Sequence, residues 1–230
     1  MEFKVENGDG IDSWKEVTLV YSAALRQMET KMQILNDEFQ HVHQYNPIEH
    51  IKARIKTPES IVKKLKRYGQ ESTIDNMVKY INDIAGIRII CSFTSDIYRI
   101  ADMIRDQKDI RVIAVKDYIT YPKASGYKSY HMIVSIPVYL SDRTVDTKVE
   151  IQIRTVAMDF WASLEHKLQY KKNIPESQAK FLKDELYDCA QQSAALDKRM
   201  QNIRNVIAES ETAEEEKQDF MPIFLRENKG

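Results

Sequence analysis

The residues best suited to chemistry lie in an alternating segment, 148–154 (KVEIQIR), where three aliphatic residues alternate with Glu150, Gln152 and Arg154. Successive side chains of a β-strand point to opposite faces, so these three polar side chains share one face. On an internal strand, such a polar row favours a wet cleft or a ligand. On an edge strand of an antiparallel sheet, it would simply face solvent, and this alternative stays open.

A second carboxylate and a buried cation flank another apolar segment. Asp83 comes just before the run 87–93 (IRIICSF), and Arg88 lies inside that run. Because burial of an unpaired cation is costly, we expect Asp83 or Glu150 to lie near Arg88. Two interpretations follow: a structural ion pair, or two carboxylates that share a divalent metal ion beside phosphate-binding arginines.

A basic stretch precedes these residues. Between positions 49 and 68 only two glutamates offset the basic residues, which are Lys52, Arg54, Lys56, Lys63, Lys64, Lys66 and Arg67. Arg54 and Lys56 alternate with apolar residues in an extended segment, and Lys64 and Arg67 lie three apart on one helix face. The stretch favours a phosphate-bearing partner, with a solvated helix face as the plain alternative.

The segment 123–131 (KASGYKSYH) combines a flexible glycine with hydrogen-bond donors and an aromatic ring. Its candidate ligand-binding residues are Lys123, Ser125, Gly126, Tyr127, Lys128 and His131. Glycine permits a close backbone approach, and tyrosine offers a flat ring on which a base could stack. The segment matches neither a Walker A loop nor a GxGxxG loop, so an ordinary turn is the alternative.

The elements that position these residues can be predicted from periodicity. Ser13 and Glu16 form a capping box that opens a long amphipathic helix, which we expect to end before Asn46-Pro47. Thr57-Pro58 opens a second helix through Arg67. Strands are predicted at 87–93, 111–115, 131–138 and 148–154, and helices at 98–108 and 155–170. The pattern predicts an α+β fold in which helices pack on a sheet.

The C-terminal part carries a heptad seam, with residues spaced four and three apart. The seam consists of Leu182, Leu186, Cys189, Ser193, Leu196, Met200, Ile203 and Ile207. Self-association would cover it, although the two terminal helices could instead pack on each other within one chain. The acidic segment 209–219 is predicted to be solvated and frayed.

Composition excludes several classes of protein. Lys and Arg total 34 against 35 Asp and Glu, so the net charge of −1 excludes a chain that binds polyanions over its whole surface. No apolar run is long enough for a membrane span, and the N-terminus lacks a signal-peptide core, which predicts a cytoplasmic protein. The two cysteines, Cys91 and Cys189, lack metal-ligand spacing.

Four motifs, in this order and spacing, resemble the synthetase domain of the RelA/SpoT family: NDIAGIRIIC (82–91), SGYKSYH (125–131), VEIQIRT (149–155) and AMDFWASLEHKLQYK (157–171). The resemblance covers positions 46–171 and looks closest to the small, single-domain alarmone synthetases of the RelP branch, with RelQ second. It implies an N-terminal helical extension (1–45), the synthetase domain (46–171), a C-terminal heptad helix (172–210) and a flexible acidic tail (211–230).

The resemblance implies a reaction: transfer of pyrophosphate from ATP to the ribose 3'-hydroxyl of GDP or GTP, on a mixed nucleotidyltransferase-like sheet. No His-Asp dipeptide occurs, and the chain is short, so synthesis without hydrolysis is implied. The family also implies a homo-oligomer, a tetramer formed through the terminal helices.

Roles for individual residues follow from the resemblance alone. Asp83 and Glu150 would hold Mg²⁺, with Glu150 also the base for the 3'-hydroxyl. Arg54 and Arg88 would enclose the adenine, and Lys56, Lys64 and Arg67 would bind the ATP phosphates. Tyr127 would stack on the guanine. The other acceptor residues would be Lys123, Ser125, Gly126, Lys128, His131, Gln152 and Arg154.

Two other classes of protein compete with a synthetase. A regulatory module could use the basic stretch and Tyr127 to bind single-stranded RNA. That hypothesis does not explain why Asp83 and Glu150 would line the same site, because carboxylates repel a phosphate backbone. A helical scaffold built on the heptad seam would leave the alternating strand unexplained.

Overall fold

The structure of the protein is a computed structural model that describes residues 13–169 and 176–219. Helices and strands follow one another in the order α1 (Trp14–His41), β1 (Ile48–Ile55), α2 (Pro58–Arg67), α3 (Ile74–Tyr80), β2 (Ala85–Cys91), α4 (Thr94–Arg105), β3 (Arg111–Asp117), β4 (Tyr130–Tyr139), β5 (Thr144–Thr155), α5 (Val156–Gln169) and α6 (Glu176–Asp219). The α+β prediction is confirmed.

The sheet has five strands in the order β1-β2-β5-β4-β3. β2 and β5 are parallel, and the other neighbouring pairs are antiparallel, so the sheet is mixed. β5 lies at the centre of this order. The edge-strand alternative for the polar row is therefore wrong: Glu150, Gln152 and Arg154 lie on an internal strand whose neighbours can supply further site residues.

The hydrophobic core lies between one face of the sheet and helices α1 and α4. α1 begins as predicted, because Ser13 Oγ accepts a hydrogen bond of 3.2 Å from the Glu16 amide. Val20, Met28 and Met32 of this helix are fully buried. Full burial of such a side chain contributes about 1.5–3 kcal/mol. The aliphatic residues of β2 and β5 pack in the same core, which leaves the opposite face of the sheet to the polar side chains.

Two elements near the basic stretch differ from the prediction. Residues 48–55 form an edge strand antiparallel to β2, where the sequence indicated only an extended segment. α3 was not predicted, because seven residues are too few to show helical periodicity. Its local signal is a cap, since Thr73 Oγ1 accepts a hydrogen bond of 3.1 Å from the Asn76 amide.

The C-terminal helix packs on α5 and α4, while α1 packs on the sheet. The alternative in which the two terminal helices cover each other's apolar faces is therefore wrong. α6 continues to Asp219, and its last residues are rich in the strong helix formers Glu, Ala and Lys. The frayed segment 209–219 and the flexible tail 211–230 stay predictions. The predicted boundary at 172 and the segment 220–230 lie outside the described residues.

Two stripes of α6 differ in character. The stripe that faces the rest of the chain is small or polar: it includes buried Ala190 and the hydrogen-bonding residues Ser193, Asp197, Gln201 and Arg204. The neighbouring stripe is apolar and exposed, and it consists of Leu196, Met200, Ile203, Val206 and Ile207. Within the described part of the chain, no helix is both long and apolar enough to cross a membrane.

Candidate active site

A polar cleft lies on the sheet face opposite the core. Ten of the fifteen predicted site residues line its walls. They are Arg54, Asp83, Arg88, Lys123, Ser125, Tyr127, His131, Glu150, Gln152 and Arg154. Strand register explains this convergence. Arg88 of β2 and His131 of β4 both lie opposite Gln152 of the central strand, one on each side. The alternation then places Glu150 and Arg154 one step away on the same face.

Asp83 is held by the basic stretch. Lys56 Nζ lies 2.9 Å from Asp83 Oδ2, and Lys64 Nζ lies 2.9 Å from Oδ1. Burial raises the pKa of Asp83, but the two ammonium groups lower it more, so its net pKa lies below the ordinary value. The Lys64 contact lacks hydrogen-bond geometry, and Oδ1 is therefore a buried acceptor that no hydrogen bond satisfies.

Glu150 lies at the centre of the cleft. Gln152 Nε2 donates a hydrogen bond of 2.8 Å to Glu150 Oε2, and His131 Nδ1 lies 3.7 Å from Oε1. Burial raises the pKa of Glu150, and the contacts with His131 and Gln152 lower it by more, so its net pKa is below the ordinary value. The carboxylate is consequently ionised at neutral pH.

Polar contacts continue from Glu150 into a closed ring. Arg154 Nη2 donates to Gln152 Oε1 at 3.0 Å and to the Tyr127 hydroxyl at 2.6 Å. That hydroxyl lies 2.9 Å from His131 Nε2, and the His131 ring returns to Glu150. Such a ring fixes the position of Tyr127 relative to the central carboxylate, because every member has at least two partners.

Lys123 lies between two aromatic rings. Its Nζ is 4.7 Å from the centroid of Tyr118 and 4.6 Å from that of Tyr127, both within the range of cation–π attraction. Burial and the charge of Lys116 lower the pKa of Lys123. This side chain therefore places a positive charge on the Tyr127 side of the cleft.

Five predicted site residues lie outside the lining of this cleft, and two of them, Lys56 and Lys64, contact its Asp83. The other three are Gly126, Lys128 and Arg67. Gly126 is buried against α6, and Lys128 lines a separate depression with Asp197 of that helix. The alternation of the extended chain after Gly126 explains the placement of Lys128, because Tyr127 and His131 lie on the site face and Lys128 lies on the other. Arg67 is exposed beside Tyr68, outside the cleft lining.

The prediction that Asp83 or Glu150 lies near Arg88 is confirmed, because all three residues line the cleft. Arg88 lines the same cleft as Asp83 and Glu150, but its ion pair is with Asp159 in the first turn of α5, with Nη1 3.0 Å from Oδ1. Sequence reasoning missed Asp159. The available signal was its position, since it follows Arg154 by five residues, in a helix that begins where the site strand ends.

Comparison with known proteins places this cleft in a family. The model of the region found in RelA / SpoT proteins matches residues 53–175. The chain belongs to the RelA/SpoT family. The matched span contains every residue of the polar row and of the basic stretch beyond Lys52.

Relatives within the RelA/SpoT family share nearly the whole chain. GTP pyrophosphokinase YwaC from Bacillus subtilis is 48% identical over 86% of this chain and 93% of its own length. The crystal structure of small alarmone synthetase 2 from B. subtilis has a TM-score of 0.73 at 46% identity, covering 84% of this chain and 98% of that one. Small alarmone synthetase 1 from B. subtilis, bound to its product pppGpp, has a TM-score of 0.76 at 34% identity, covering 84% and 97%.

Proposed function

We propose that this RelA/SpoT family member is a GTP pyrophosphokinase that transfers a pyrophosphoryl group from ATP to the 3'-hydroxyl of GDP or GTP. The observation that carries the proposal is that two ionised carboxylates, Asp83 and Glu150, line one cleft together with cations from both of its sides. The names of the relatives and the pppGpp bound to one of them support the same reaction class.

The donor nucleotide is assigned to the β1–β2 side of the cleft. Arg54 and Arg88 come from adjacent strands and both line the cavity, so their planar guanidinium groups are available to stack on adenine. Lys56 and Lys64 converge on Asp83, which places two ammonium groups where the ATP phosphates would lie. Arg67, exposed at the end of α2, is assigned to the outermost phosphate contact.

The acceptor nucleotide is assigned to the β4–β5 side. Tyr127 provides the ring for the guanine, and Lys123, Ser125, His131, Gln152 and Arg154 provide polar contacts. Lys128 and Gly126 are left out of the acceptor contacts, because they face α6. Their role in this proposal is to hold the loop in place.

The residues fit a Mg²⁺ ion. Asp83 and Glu150 supply hard oxygen ligands, and Asp83 Oδ1 is a buried acceptor without a hydrogen bond. Among the described residues, no cluster of three His, Cys, Asp or Glu side chains could hold a metal alone. Two carboxylates plus nucleotide phosphates is the arrangement that Mg²⁺ ordinarily uses. When bound, the ion neutralises charge on the transferred phosphates.

The chain's own residues account for the rest of the reaction. Glu150, ionised at neutral pH, accepts the proton of the 3'-hydroxyl. The oxygen then bonds to the β-phosphorus of ATP, the bond between the α,β-bridging oxygen and that phosphorus breaks, and AMP leaves with both bonding electrons. Catalysis depends on in-line positioning and on the cationic surroundings, since the protein forms no covalent bond with the phosphates.

Synthesis without hydrolysis is part of the proposal. The segment that matches the family model, 53–175, carries the synthetase motifs, and no His-Asp dipeptide occurs in the sequence. A homotetramer formed through the terminal helices is also proposed. Support comes from the exposed apolar stripe of α6 and from exposed Leu19 and Ile34 on α1.

The test is incubation of the purified protein with ATP, Mg²⁺ and either GDP or GTP, followed by anion-exchange chromatography. We expect AMP and a guanosine tetra- or pentaphosphate in equal amounts. Formation of ADP alone, or no reaction with either acceptor, would contradict the proposal and favour the single-stranded RNA hypothesis, which a binding assay with labelled oligonucleotides would then examine.

A further inference from the structure

One carboxylate outside the predicted site joins the two halves of the cleft. Asp159 Oδ1 accepts hydrogen bonds from Arg88 Nη1 and from Arg154 Nη1, each at 3.0 Å. Arg88 lies on β2, Arg154 on β5 and Asp159 on α5. A single oxygen atom therefore links side chains from three elements.

The two arginines repel each other, and Asp159 opposes that repulsion. Burial and the charge of Arg154 lower the pKa of Arg88, whereas the charge of Asp159 raises it. The Arg154 side chain is only 5% exposed and that of Asp159 15%, so water screens these charges weakly. Without the carboxylate, two poorly solvated cations would face each other and would separate.

Asp159 also sets the direction of the Arg88 guanidinium. Arg88 Nε is buried and has no hydrogen-bond partner, so the contact of Nη1 with Asp159 orients the group. Arg154 is fixed more firmly, because it also contacts Tyr127, Gln152 and Ser129. The orientation of Arg88 thus depends on that of Arg154, because both guanidinium groups bind the same Asp159 oxygen.

We propose that Asp159 is a positioning residue that couples the donor subsite to the acceptor subsite. This inference rests on the proposed function, in which Arg88 holds the adenine of ATP and Arg154 belongs to the acceptor side. Asp159 itself lies outside the lining of the cleft. It keeps the two guanidinium groups at a fixed separation, so that each bound nucleotide aligns the other for in-line transfer.

The test compares the wild-type chain with Asp159→Asn, which keeps the size of the side chain and removes its charge. We expect kcat to fall about 10- to 100-fold, the scale of a misplacement of about 1 Å. Affinity for α,β-methylene ATP is then measured with and without saturating GDP. In the wild-type chain, we expect the dissociation constants for α,β-methylene ATP without and with GDP to differ about fivefold or more, the low end of typical coupling. In Asp159→Asn, we expect the ratio of these two constants to be near one.

The ratio of the two dissociation constants distinguishes a positioning role of Asp159 from a purely structural one, because this ratio does not depend on the fraction of the protein that is folded. Asp142→Asn is the matched control, since Asp142 is exposed and paired with its neighbour Arg143. Asp159→Glu keeps the charge and moves it by one methylene group. We expect it to fold and to retain coupling with a kcat lowered about tenfold.

Several outcomes would overturn the inference: a ratio near one in the wild-type chain, an unchanged ratio in Asp159→Asn, or a wild-type kcat in Asp159→Glu. These outcomes are distinguishable from failure of the proposed function. If the wild-type chain formed no AMP, the proposed function would fail. If it formed AMP and Asp159→Asn behaved identically, only the coupling role would fail.

Discussion

At the scale of single residues, the cleft keeps two carboxylates ionised by different means. Asp83 faces two ammonium groups, and Glu150 is held by a neutral amide and an imidazole ring. Both pKa values lie below the ordinary ones despite burial. In the proposed mechanism this difference gives them different tasks: Asp83 organises the cations that bind phosphate, and Glu150 accepts a proton from the hydroxyl group.

Glu150→Gln removes the proposed base and keeps the shape of the side chain. We expect kcat to fall about 100-fold or more, the scale of general-base catalysis, because the amide that replaces the carboxylate cannot accept the proton. The dissociation constant for α,β-methylene ATP in the absence of Mg²⁺ should change less than about threefold, since the adenine contacts remain. Steady-state kinetics and calorimetry measure the two quantities.

Glu29→Gln is the control for this change, because Glu29 is exposed on α1. Turnover at the wild-type rate by Glu150→Gln would remove Glu150 from the proposed mechanism.

Asp83 should shape the dependence of stability on acidity. Its folded-state pKa is lowered, so the carboxylate stabilises the fold at pH values above its unfolded pKa and loses this contribution as pH falls through the folded value. Below an ordinary carboxylate pKa of about 3.9, the free energy of unfolding should therefore fall more steeply in the wild type than in Asp83→Asn, by at most about 1.4 kcal/mol per pH unit.

Urea unfolding of both chains between pH 7 and pH 3, in the absence of Mg²⁺, measures this difference in slope. Identical slopes would mean that the two lysine contacts do not stabilise the Asp83 carboxylate.

At the scale of elements, α6 forms the support behind the acceptor loop. Trp161 Nε1 of α5 donates a hydrogen bond of 2.8 Å to the Leu186 carbonyl, and Ser193 Oγ donates one of 3.0 Å to the Ala157 carbonyl. Gly126 fits against Ala190 of the same helix. The helix therefore positions both the loop and the start of α5, although it lines little of the cleft itself.

Gly126→Ala should weaken acceptor binding selectively. The new Cβ would lie 2.5 Å from Ala190 Cβ, and the backbone φ of 84° is strained for alanine. Overpacking of this kind costs about 1–3 kcal/mol. We expect the KM for GDP to rise about tenfold, with the KM for ATP unchanged within about twofold, because displacement of the loop moves Tyr127.

Gly69→Ala is the matched control, because Gly69 has a similar φ of 69° but nothing within 4 Å of its added Cβ. Backbone strain is thus present in both variants, whereas only the Gly126→Ala side chain would clash with α6. Ala190→Gly in the Gly126→Ala background should restore the KM for GDP. An equal rise of that KM in Gly69→Ala would contradict the role of α6.

The sequence predicts strongly patterned elements well and weakly patterned ones poorly. α2 was predicted at its observed bounds, since a Thr-Pro start is a local signal. β5 was predicted from its strict alternation at 148–154, although the strand begins four residues earlier, at Thr144. β1 was indicated only as extended, because its exposed basic residues obscure the alternation of an edge strand. α3 was missed because a single short helix gives no period to detect.

The same distinction holds for the site. Residues on one strand, such as Glu150 and Arg154, share a face by geometry alone and were predicted together. The pairing of Arg88 with Asp159 depends on how α5 crosses the ends of two strands, which no local pattern encodes. Lys128 was assigned to the acceptor because its residue type suits phosphate, whereas alternation places it on the other face from Tyr127, beside Asp197.

At the scale of the whole molecule, α6 packs its polar stripe on the rest of the chain and leaves the neighbouring apolar stripe exposed. Leu196 and Ile203 are 53% and 54% exposed, whereas Asp197 of the inner stripe is buried enough to have a raised pKa. Apolar residues at heptad spacing on an exposed face are typical of helices that associate. The terminal helices thus combine support of the site with a surface suited to assembly.

Leu196→Glu combined with Ile203→Glu should dissociate the proposed tetramer. Both side chains are exposed within one chain, so the fold should remain, whereas four or more buried charges in an assembled seam would be costly. Light scattering coupled to size-exclusion chromatography should give the mass of a monomer or dimer. Lys198→Glu combined with Asn202→Glu, at exposed polar positions, is the control.

The same mass for the wild-type chain and for Leu196→Glu combined with Ile203→Glu would show that this stripe does not hold the assembly together.

The central position of β5 in the sheet determines which parts of the molecule unfold first. Its amide hydrogens bond to β2 on one side and to β4 on the other, so they exchange with deuterium only when the sheet itself opens. α6 packs on α5 and α4 outside the sheet, so we expect it to detach at a lower free energy than the sheet opens. A partially destabilised molecule would therefore lose the support of its proposed acceptor loop, while the Glu150 carboxylate on β5 remained in place.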